Sequence, residues 1–462
     1  MMYRSFVLTG CALALVVSRP TSVAAATAHP AKVVIIGLDG VSLNVLVPFA
    51  EQGVTPVLGK LLLEGARGDL DVIWPLRTPQ VWTSAVTGKL PGQHGIWDHK
   101  SNTYFNPPEV RTKKAKRVTS TERRSKALWT LLDNAGIPTL TVGWMASWPA
   151  EKLKHGVMVA PIELVGDPRQ TTIKGSFFRD APKLVAPARM TGKVRKAIVE
   201  PADVRPEELK EFADLPAKDS PLLEMPRLER YIYALSWSLA RARSVEAITL
   251  ALAPEVKADV VSAYFQCTDS LLHRFWIFSE GEAATRERLQ THKLPTKHTA
   301  ELVRRFKGVI EACYRDVDAR VGRILDAVRG PNTVVLVVSD HGFGSATKPH
   351  RLAAEPYSGD HLDQGVILAA GPGIVKRRRV EGISILDLTP TVLQMLGRPA
   401  AKDMRGQVAR QLFAKPPSIV KPVATYEERP QLDAIFPKGY PPRMVPPRPV
   451  KRPKQSFFKR NP

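Results

Sequence analysis

Three acids stand at or just beyond the ends of apolar, β-branched runs: Asp39 after KVVIIGL, Asp269 beyond DVVSAYF, and Asp340 after TVVLVVS. Imidazoles accompany them. His341 adjoins Asp340, His273 follows Asp269 by four residues, and His361 sits in the Gly-flanked SGDH stretch that begins at Ser358. Each taken singly has a bland explanation: a turn-capping Asp, a solvent-facing His, an exposed i,i+4 pair. All of those would have to coincide. Three carboxylates and three imidazoles make a hard-to-borderline donor set suited to two zinc ions, with other divalent metals possible. Two metals about 4 Å apart can clamp the attacking and leaving oxygens of an in-line displacement at phosphorus. The nucleophile such a site needs is offered by Thr78, in RTPQVW. Thr78-Pro79 reads as a helix cap followed by the first helical residue, which sets the hydroxyl where backbone N–H groups favour an anion.

The elements that must position these residues follow from the pattern. Runs without polar alternation read as central strands of a parallel sheet covered by helices on both faces, and such sheets gather functional groups beyond their strands' carboxyl ends. Strands are expected at 32–38, 139–144, 259–265, 333–338 and 366–370, with a short one at Val72–Trp74. Residues 301–329 carry apolar positions at spacings of three and four and read as one helix ending at Gly330-Pro331. Helices are also expected at 127–136, 227–252 and 387–397. If a helix starts near Cys267, Asp269 and His273 share a face. The polar, basic stretch 98–125 reads as a surface loop near the site, and about 166–226 as an insertion or cap over the sheet edge.

Composition is ordinary for a globular chain except for a net charge of +23. Residues 1–28 have Arg4 ahead of an apolar run, Arg19 after it and small residues at the end, the layout of a cleaved signal peptide too short to span a bilayer. The mature protein is therefore expected to be periplasmic or secreted, with lipidation at Cys11 the less favoured alternative. The catalytic region then covers 29–413. From about Ala414 to Pro462, eleven Lys and Arg face three acids among many prolines, which reads as a disordered tail. Such a tail could engage anionic polymers or membrane surfaces; no specific nucleic-acid partner is indicated. Cys267 and Cys313 could pair in an oxidising compartment. Thr83 is a rival nucleophile, but inside a helix its hydroxyl tends to bond the preceding turn. His350 is a weaker alternative to His361. Lys89 and His94 are read as shaping the loop after the Thr78 helix, and Trp82, Trp97 and Trp276 as packing residues.

At GLDG (Gly37), TPQVWTSAVTGKLPGQHGI (Thr78), YFQCTDSLLHRFW (Tyr264), VVSDHGFG (Val337), SGDH (Ser358) and DLTPTVLQMLG (Asp387) the chain resembles the alkaline phosphatase superfamily. It is most similar to the type I phosphodiesterase/nucleotide pyrophosphatase branch. The resemblance implies an alkaline-phosphatase-like α/β fold. It also implies one metal on Asp269, His273 and His361, a second on Asp39, Thr78, Asp340 and His341, and a phosphothreonine intermediate that is then hydrolysed. The expected substrate is a small phosphate ester. Where that family usually carries an asparagine after its His-Gly-Ile element, this chain has Trp97-Asp98-His99-Lys100. The alternatives are a phosphomonoesterase, phosphonate hydrolase or phosphoryl transferase of the same superfamily, or an exported binding protein acting through its basic tail. A sulfatase is disfavoured because a Thr cannot be processed to formylglycine. Phosphoglycerate mutase is disfavoured by the export signal and by Thr in place of Ser.

Overall fold

The computed structural model describes residues 32–103, 106, 111–114, 116–162, 181–345 and 356–428. Its strands are β1 (Lys32–Leu38), β2 (Ala66–Asp71), β3 (Thr139–Val142), β4 (Val157–Val159), β5 (Val185–Ala186), β6 (Val260–Phe265), β7 (Thr333–Val338), β8 (Gly342–Gly344), β9 (Asp360–Leu362), β10 (Gln364–Ala370), β11 (Arg378–Arg379) and β12 (Ile383–Ser384). The helices are α1 (Leu43–Glu51), α2 (Pro56–Glu64), α3 (Thr78–Thr87), α4 (Pro91–His94), α5 (Leu128–Asn134), α6 (Thr191–Ala197), α7 (Pro206–Lys210), α8 (Leu228–Val256), α9 (Cys267–Ser279), α10 (Glu282–Thr291), α11 (Thr299–Phe306), α12 (Val309–Val328) and α13 (Leu388–Met395).

The central sheet runs β11-β2-β10-β7-β1-β6-β3-β4-β5, with β12 beside β2. Its middle, β7-β1-β6-β3-β4, is parallel throughout, while β10 runs antiparallel to both β7 and β2. Because side chains alternate faces, β1 sends Val34, Ile36 and Leu38 into one apolar layer and Val33 and Ile35 into the other. The first layer is completed by α1, α2, α8, α9 and α12, the second by α3, α5 and α13. The three strands with chemistry at their ends are thus the three central ones, with β1 between β6 and β7. Their β-branched runs are buried on both faces for that reason.

Several expectations need correction. The helix expected over 301–329 is two helices, broken at Lys307 and Gly308; both pieces bury the same face, so the apolar spacing carries on across the break. The strand expected at Val72–Trp74 lies just earlier, as β2. The Thr78 helix begins one residue sooner than expected, with Arg77 in the capping position and extended. Similarly, Asp387 closes a 3-10 turn and α13 begins at Leu388, before Pro390.

The described part of the 166–226 segment adds β5 to the sheet edge by pairing with β4. It sends Met190, Val194, Ile198, Leu209 and Leu222 into the first apolar layer. An unpacked tail from 414 does not hold for residues 414–428. Val423 bridges Ala401, the Tyr426 hydroxyl donates to the Pro399 carbonyl at 2.5 Å, and Glu427 reaches Lys89 at 3.3 Å. Residues 1–31 and 429–462, and with them the signal peptide and most of the basic tail, lie outside the described residues. No described helix is long and apolar enough to cross a membrane.

Candidate metal centre

The end of β1 is stitched to the start of α9. Asp39 N–H donates to the Phe265 carbonyl at 3.0 Å, and the Asp39 carbonyl accepts from Asp269 N–H at 3.1 Å and from the Thr268 hydroxyl. One carboxylate oxygen, Oδ2, accepts the Tyr264 phenol, which leaves Oδ1 to point elsewhere. Gly40 then turns the chain at φ 76°, and a Cβ there would meet Asp269 Cα at 3.3 Å and the His341 ring at 3.4 Å. Only glycine suits both the conformation and the space.

The β7 end is tied to the same turn. Ser339 donates to the His341 carbonyl at 2.9 Å and accepts Val41 N–H at 2.9 Å, while Asp340 Oδ1 accepts Gly40 N–H at 3.3 Å. His341 Nδ1 engages the Gly342 carbonyl at 3.0 Å. That fixes the ring so that Nε2 faces Asp39 Oδ1 at 3.2 Å, Asp340 Oδ2 at 3.5 Å and Asp269 Oδ1 at 3.7 Å. A ring nitrogen pinned to a carbonyl in this way is the usual support of a metal-binding histidine.

Asp269 lies in the first turn of α9, where the helix terminus favours an anion. One turn on, His273 brings Nε2 to 3.2 Å from Asp269 Oδ1, as the spacing predicts, and its Nδ1 meets the Ser358 hydroxyl at 3.0 Å. The two-stranded β8-β9 ribbon sets His361 opposite Phe343. Its approach requires Gly359, where a Cβ would stand 2.6 Å from Trp276 and 2.7 Å from the Gly344 carbonyl. His361 Nε2 is then 3.3 Å from Asp269 Oδ1 and 2.8 Å from His273 Nε2. The His341 and His361 rings stack at 3.7 Å.

Six of the seven expected residues thus form two abutting clusters, Asp269-His273-His361 and Asp39-Asp340-His341, each with its donor atoms within 4.8 Å of one another. The fit to a cation is chemical as well as spatial. Asp39 Oδ1, Asp269 Oδ1, Asp340 Oδ2 and His341 Nε2 are buried without a hydrogen-bond partner among the described residues, which is costly unless something positive satisfies them. The electrostatics agree. Burial and the Asp39 charge hold the Asp340 carboxyl well above its ordinary value. Burial lowers the His341 imidazole, yet Asp340, Asp39 and Asp269 outweigh it and push it up to about 10. Burial raises the Asp269 carboxyl, but His273 and His361 bring the net well below the usual range. Burial and the neighbouring His341 drop His361 to about 3. Asp340 and His341 thus hold protons for want of other positive charge, which a divalent cation can displace, while Asp269 and His361 favour the deprotonated forms that ligate one.

Thr78, the seventh, is buried at the first residue of α3. One turn later on the same face, Trp82 packs edge-on to Tyr264 at 5.0 Å, and the Tyr264 hydroxyl bonds Asp39. The helix is therefore braced against the strand ends that carry the acids. Thr83 donates to the Pro79 carbonyl at 2.6 Å, as expected of a mid-helix threonine. His94 meets the Ser84 hydroxyl at 2.8 Å, and Trp82, Trp97 and Trp276 are buried. His350 lies outside the described residues.

Sequence reasoning missed four contributors: Tyr264, Ser339, Arg77 and Asp98. Arg77 is fixed by Asp98, whose Oδ1 takes both Nε at 2.8 Å and a terminal nitrogen at 2.7 Å. Asp98 also accepts His99 N–H and the Thr103 hydroxyl, organising the stem of the basic loop, which closes at a Lys100–Arg117 bridge. Burial and Arg77 bring His99 down to about 4, with Asp39 pulling the other way. A tyrosine five residues before Asp269 and an acid following a buried tryptophan were the available signals.

An α/β sheet whose three central strands deliver two cation-ready clusters is the architecture of the alkaline phosphatase superfamily. Within it, the chain belongs to the type I phosphodiesterase / nucleotide pyrophosphatase family of hydrolases, whose model matches residues 33–384. Shorter similarities reach further. The 2,3-bisphosphoglycerate-independent phosphoglycerate mutase 2 of Methanosarcina acetivorans is 32% identical over 103 residues, 22% of this chain and 19% of that protein. Arylsulfatase K of Canis lupus familiaris is 28% identical over 115 residues, 24% of this chain and 21% of that protein. The chain thus matches about a fifth of the length of these relatives.

Proposed function

We propose that the protein hydrolyses phosphodiester or pyrophosphate bonds of small substrates, with Thr78 as nucleophile. Asp269, His273 and His361 would hold one divalent cation, and Asp39, Asp340, His341 and Thr78 a second, with zinc suited to the nitrogen and oxygen donors. The observation that carries this reading is the convergence of two three-residue donor sets whose buried lone pairs lack partners. When bound, the cations would supply Lewis acidity toward phosphoryl oxygens and lower the pKa of the threonine hydroxyl.

The chain's own residues do the rest. The free backbone N–H groups at the start of α3 favour negative charge around Thr78. Tyr264 and Gly40 N–H orient the Asp39 and Asp340 carboxylates. Asp39, Asp340 and His341 are sealed from water, whereas His273 is partly exposed, so substrate enters from the α9 side. Thr78 also separates this reading from sulfatase chemistry, since oxidising a threonine side chain gives a methyl ketone and not the aldehyde of formylglycine. The segment 1–28 is proposed as a removed export signal and the basic residues after 428 as contacts for anionic polymer or membrane, both on composition alone.

The direct test is metal analysis of the purified protein coupled to rates on mono- and diesters of one aryl leaving group. Turnover that a chelator abolishes and zinc restores is expected, with the diester preferred by at least about tenfold. A monoester preference would select the alternative reading, and no turnover of either with metal bound would sink both. Tyr264→Phe removes a hydroxyl from Asp39 without changing packing volume. It is expected to weaken binding of the metal at the sealed cluster about 10- to 100-fold, read by competition with a metal indicator; unchanged affinity would deny Tyr264 a positioning role.

A further inference from the structure

One edge of the central sheet carries a concentration of positive charge that takes no part in the metal centre. There β11 lies beside β2, and Lys376, Arg377, Arg378 and Arg379 follow one another, all exposed. Backbone bonds lay this run along the end of α2 and the start of β2. Arg377 N–H donates to the Glu64 carbonyl at 3.2 Å, Arg378 N–H to that of Gly65 at 3.1 Å and Val380 N–H to that of Arg67 at 2.9 Å. Just before the run, Val375 N–H bonds the Leu412 carbonyl at 2.9 Å and Ala414 N–H bonds that of Gly373 at 2.8 Å, which brings the exposed Arg410 and Lys415 to the same corner. Arg379 is matched by Asp69 at 2.7 Å and, more distantly, by Glu381 at 3.9 Å. Among the described residues, Lys376, Arg377 and Arg378 enter no ion pair. Arg377 also keeps φ at 52°, a conformation that glycine would adopt more easily.

Charges alone can serve to keep a sheet edge from pairing with other strands, but that purpose does not call for an apolar side chain held out among them. Leu63, in the last turn of α2, is 63% exposed, the most of any large hydrophobic residue described. It directly precedes Glu64, whose carbonyl anchors Arg377, and the exposed Lys60 stands one turn back on the same face of the helix. An apolar tip flanked by unpaired cations fits a surface that is anionic outside and apolar just beneath. We propose that this corner docks the folded protein on an anionic phospholipid bilayer, with Leu63 entering the headgroup boundary and Lys376, Arg377 and Arg378 against the lipid phosphates. Docking leaves the metal centre open to water. Arg378 pairs with Ala66 at the start of β2, whereas Asp71 at its other end pairs with Gln364, two residues beyond the β9 strand that carries His361. The corner and the cation clusters therefore lie toward opposite ends of β2.

The test is co-sedimentation of the full-length chain with vesicles of phosphatidylcholine alone or mixed with an equal part of phosphatidylglycerol. The parent should bind the mixed vesicles and scarcely the neutral ones. Changing Lys376→Glu, Arg377→Glu and Arg378→Glu together is expected to lower partitioning onto the mixed vesicles at least about tenfold, and Leu63→Ser about threefold. Both variants should keep the Tm of the parent. Should the triple variant melt lower, Lys376→Glu with Arg378→Glu spares the left-handed Arg377 and is expected to weaken binding in the same direction. Binding of the charge-reversed chains equal to that of the parent would assign membrane contact to the basic tail and overturn the proposal. So would unchanged binding of Leu63→Ser together with equal losses on vesicles and on heparin in the triple variant, the result expected of a site for polyanions in general.

Discussion

Thr78→Ala is expected to lower kcat/KM on an aryl phosphodiester by at least about 10³-fold while Tm stays close to that of the parent. The chemistry resides in one hydroxyl, and the fold does not depend on it. The turn that starts α3 is set by Pro79 and by the extended Arg77 that Asp98 holds in place, and the helix is anchored downstream by Trp82 against Trp144 and Tyr264. Thr78→Ser restores a hydroxyl on the same carbon and should recover activity to within about tenfold of the parent. Retention of a tenth or more of parental activity by the alanine variant would remove Thr78 from the nucleophile's role and leave the metal clusters to be explained otherwise.

Asp403→Ala should cost about 3–5 kcal/mol of stability, measured by urea unfolding. Lys89 follows the left-handed Gly88 that ends α3, and its ammonium is buried against Asp403 at 2.9 Å. The same carboxylate accepts the Thr425 hydroxyl at 2.7 Å, and the Asp403 carbonyl accepts the Gln93 side chain at 2.8 Å. Backbone N–H groups of Arg405 and Gly406 bond the Gly88 carbonyl at 2.8 and 3.1 Å. Removing Asp403 takes the closer of two acidic partners from a buried cation and leaves it Glu427 at 3.3 Å, the costly half of breaking such a pair. The paired change Lys89→Met with Asp403→Leu removes both charges together and is expected to regain most of the loss; if it does not, the charges are not the source of the cost. Truncation should follow the same logic. Ending the chain after residue 428 should leave stability unchanged, whereas ending it after 413 deletes Glu427 and Thr425 and should lower it.

What could be read from the sequence and what could not divides along a physical line. Strand ends were legible because a strand buried on both faces must be apolar throughout, so an acid after Leu38 or Ser339 stands out. The Asp269–His273 pair was legible because a helix converts a spacing of four into adjacency. The break at Gly308 was not, since Phe306 and Val309 continue one apolar face across it. The anchoring of 414–428 was not legible either. It rests on polar contacts such as Glu427 to Lys89, 338 residues apart, in a stretch whose proline content reads as extended chain. Tyr264 escaped because an aromatic in an apolar strand reads as packing, and only the fold reveals that its hydroxyl reaches Asp39.

The placement of β1 between β6 and β7 bears on how the molecule comes into being. Gly40 and Asp340, which meet at the sealed cluster, lie 300 residues apart, and β1 cannot gain either parallel neighbour until most of the chain has been synthesised. Pairings of such sequence separation form slowly. The sealed cluster of Asp39, Asp340 and His341 is therefore expected to arise late in folding and not to template its early steps. Metal capture would then mark the chains that have completed the sheet, and supply of the ion would govern how many finished molecules are held against unfolding.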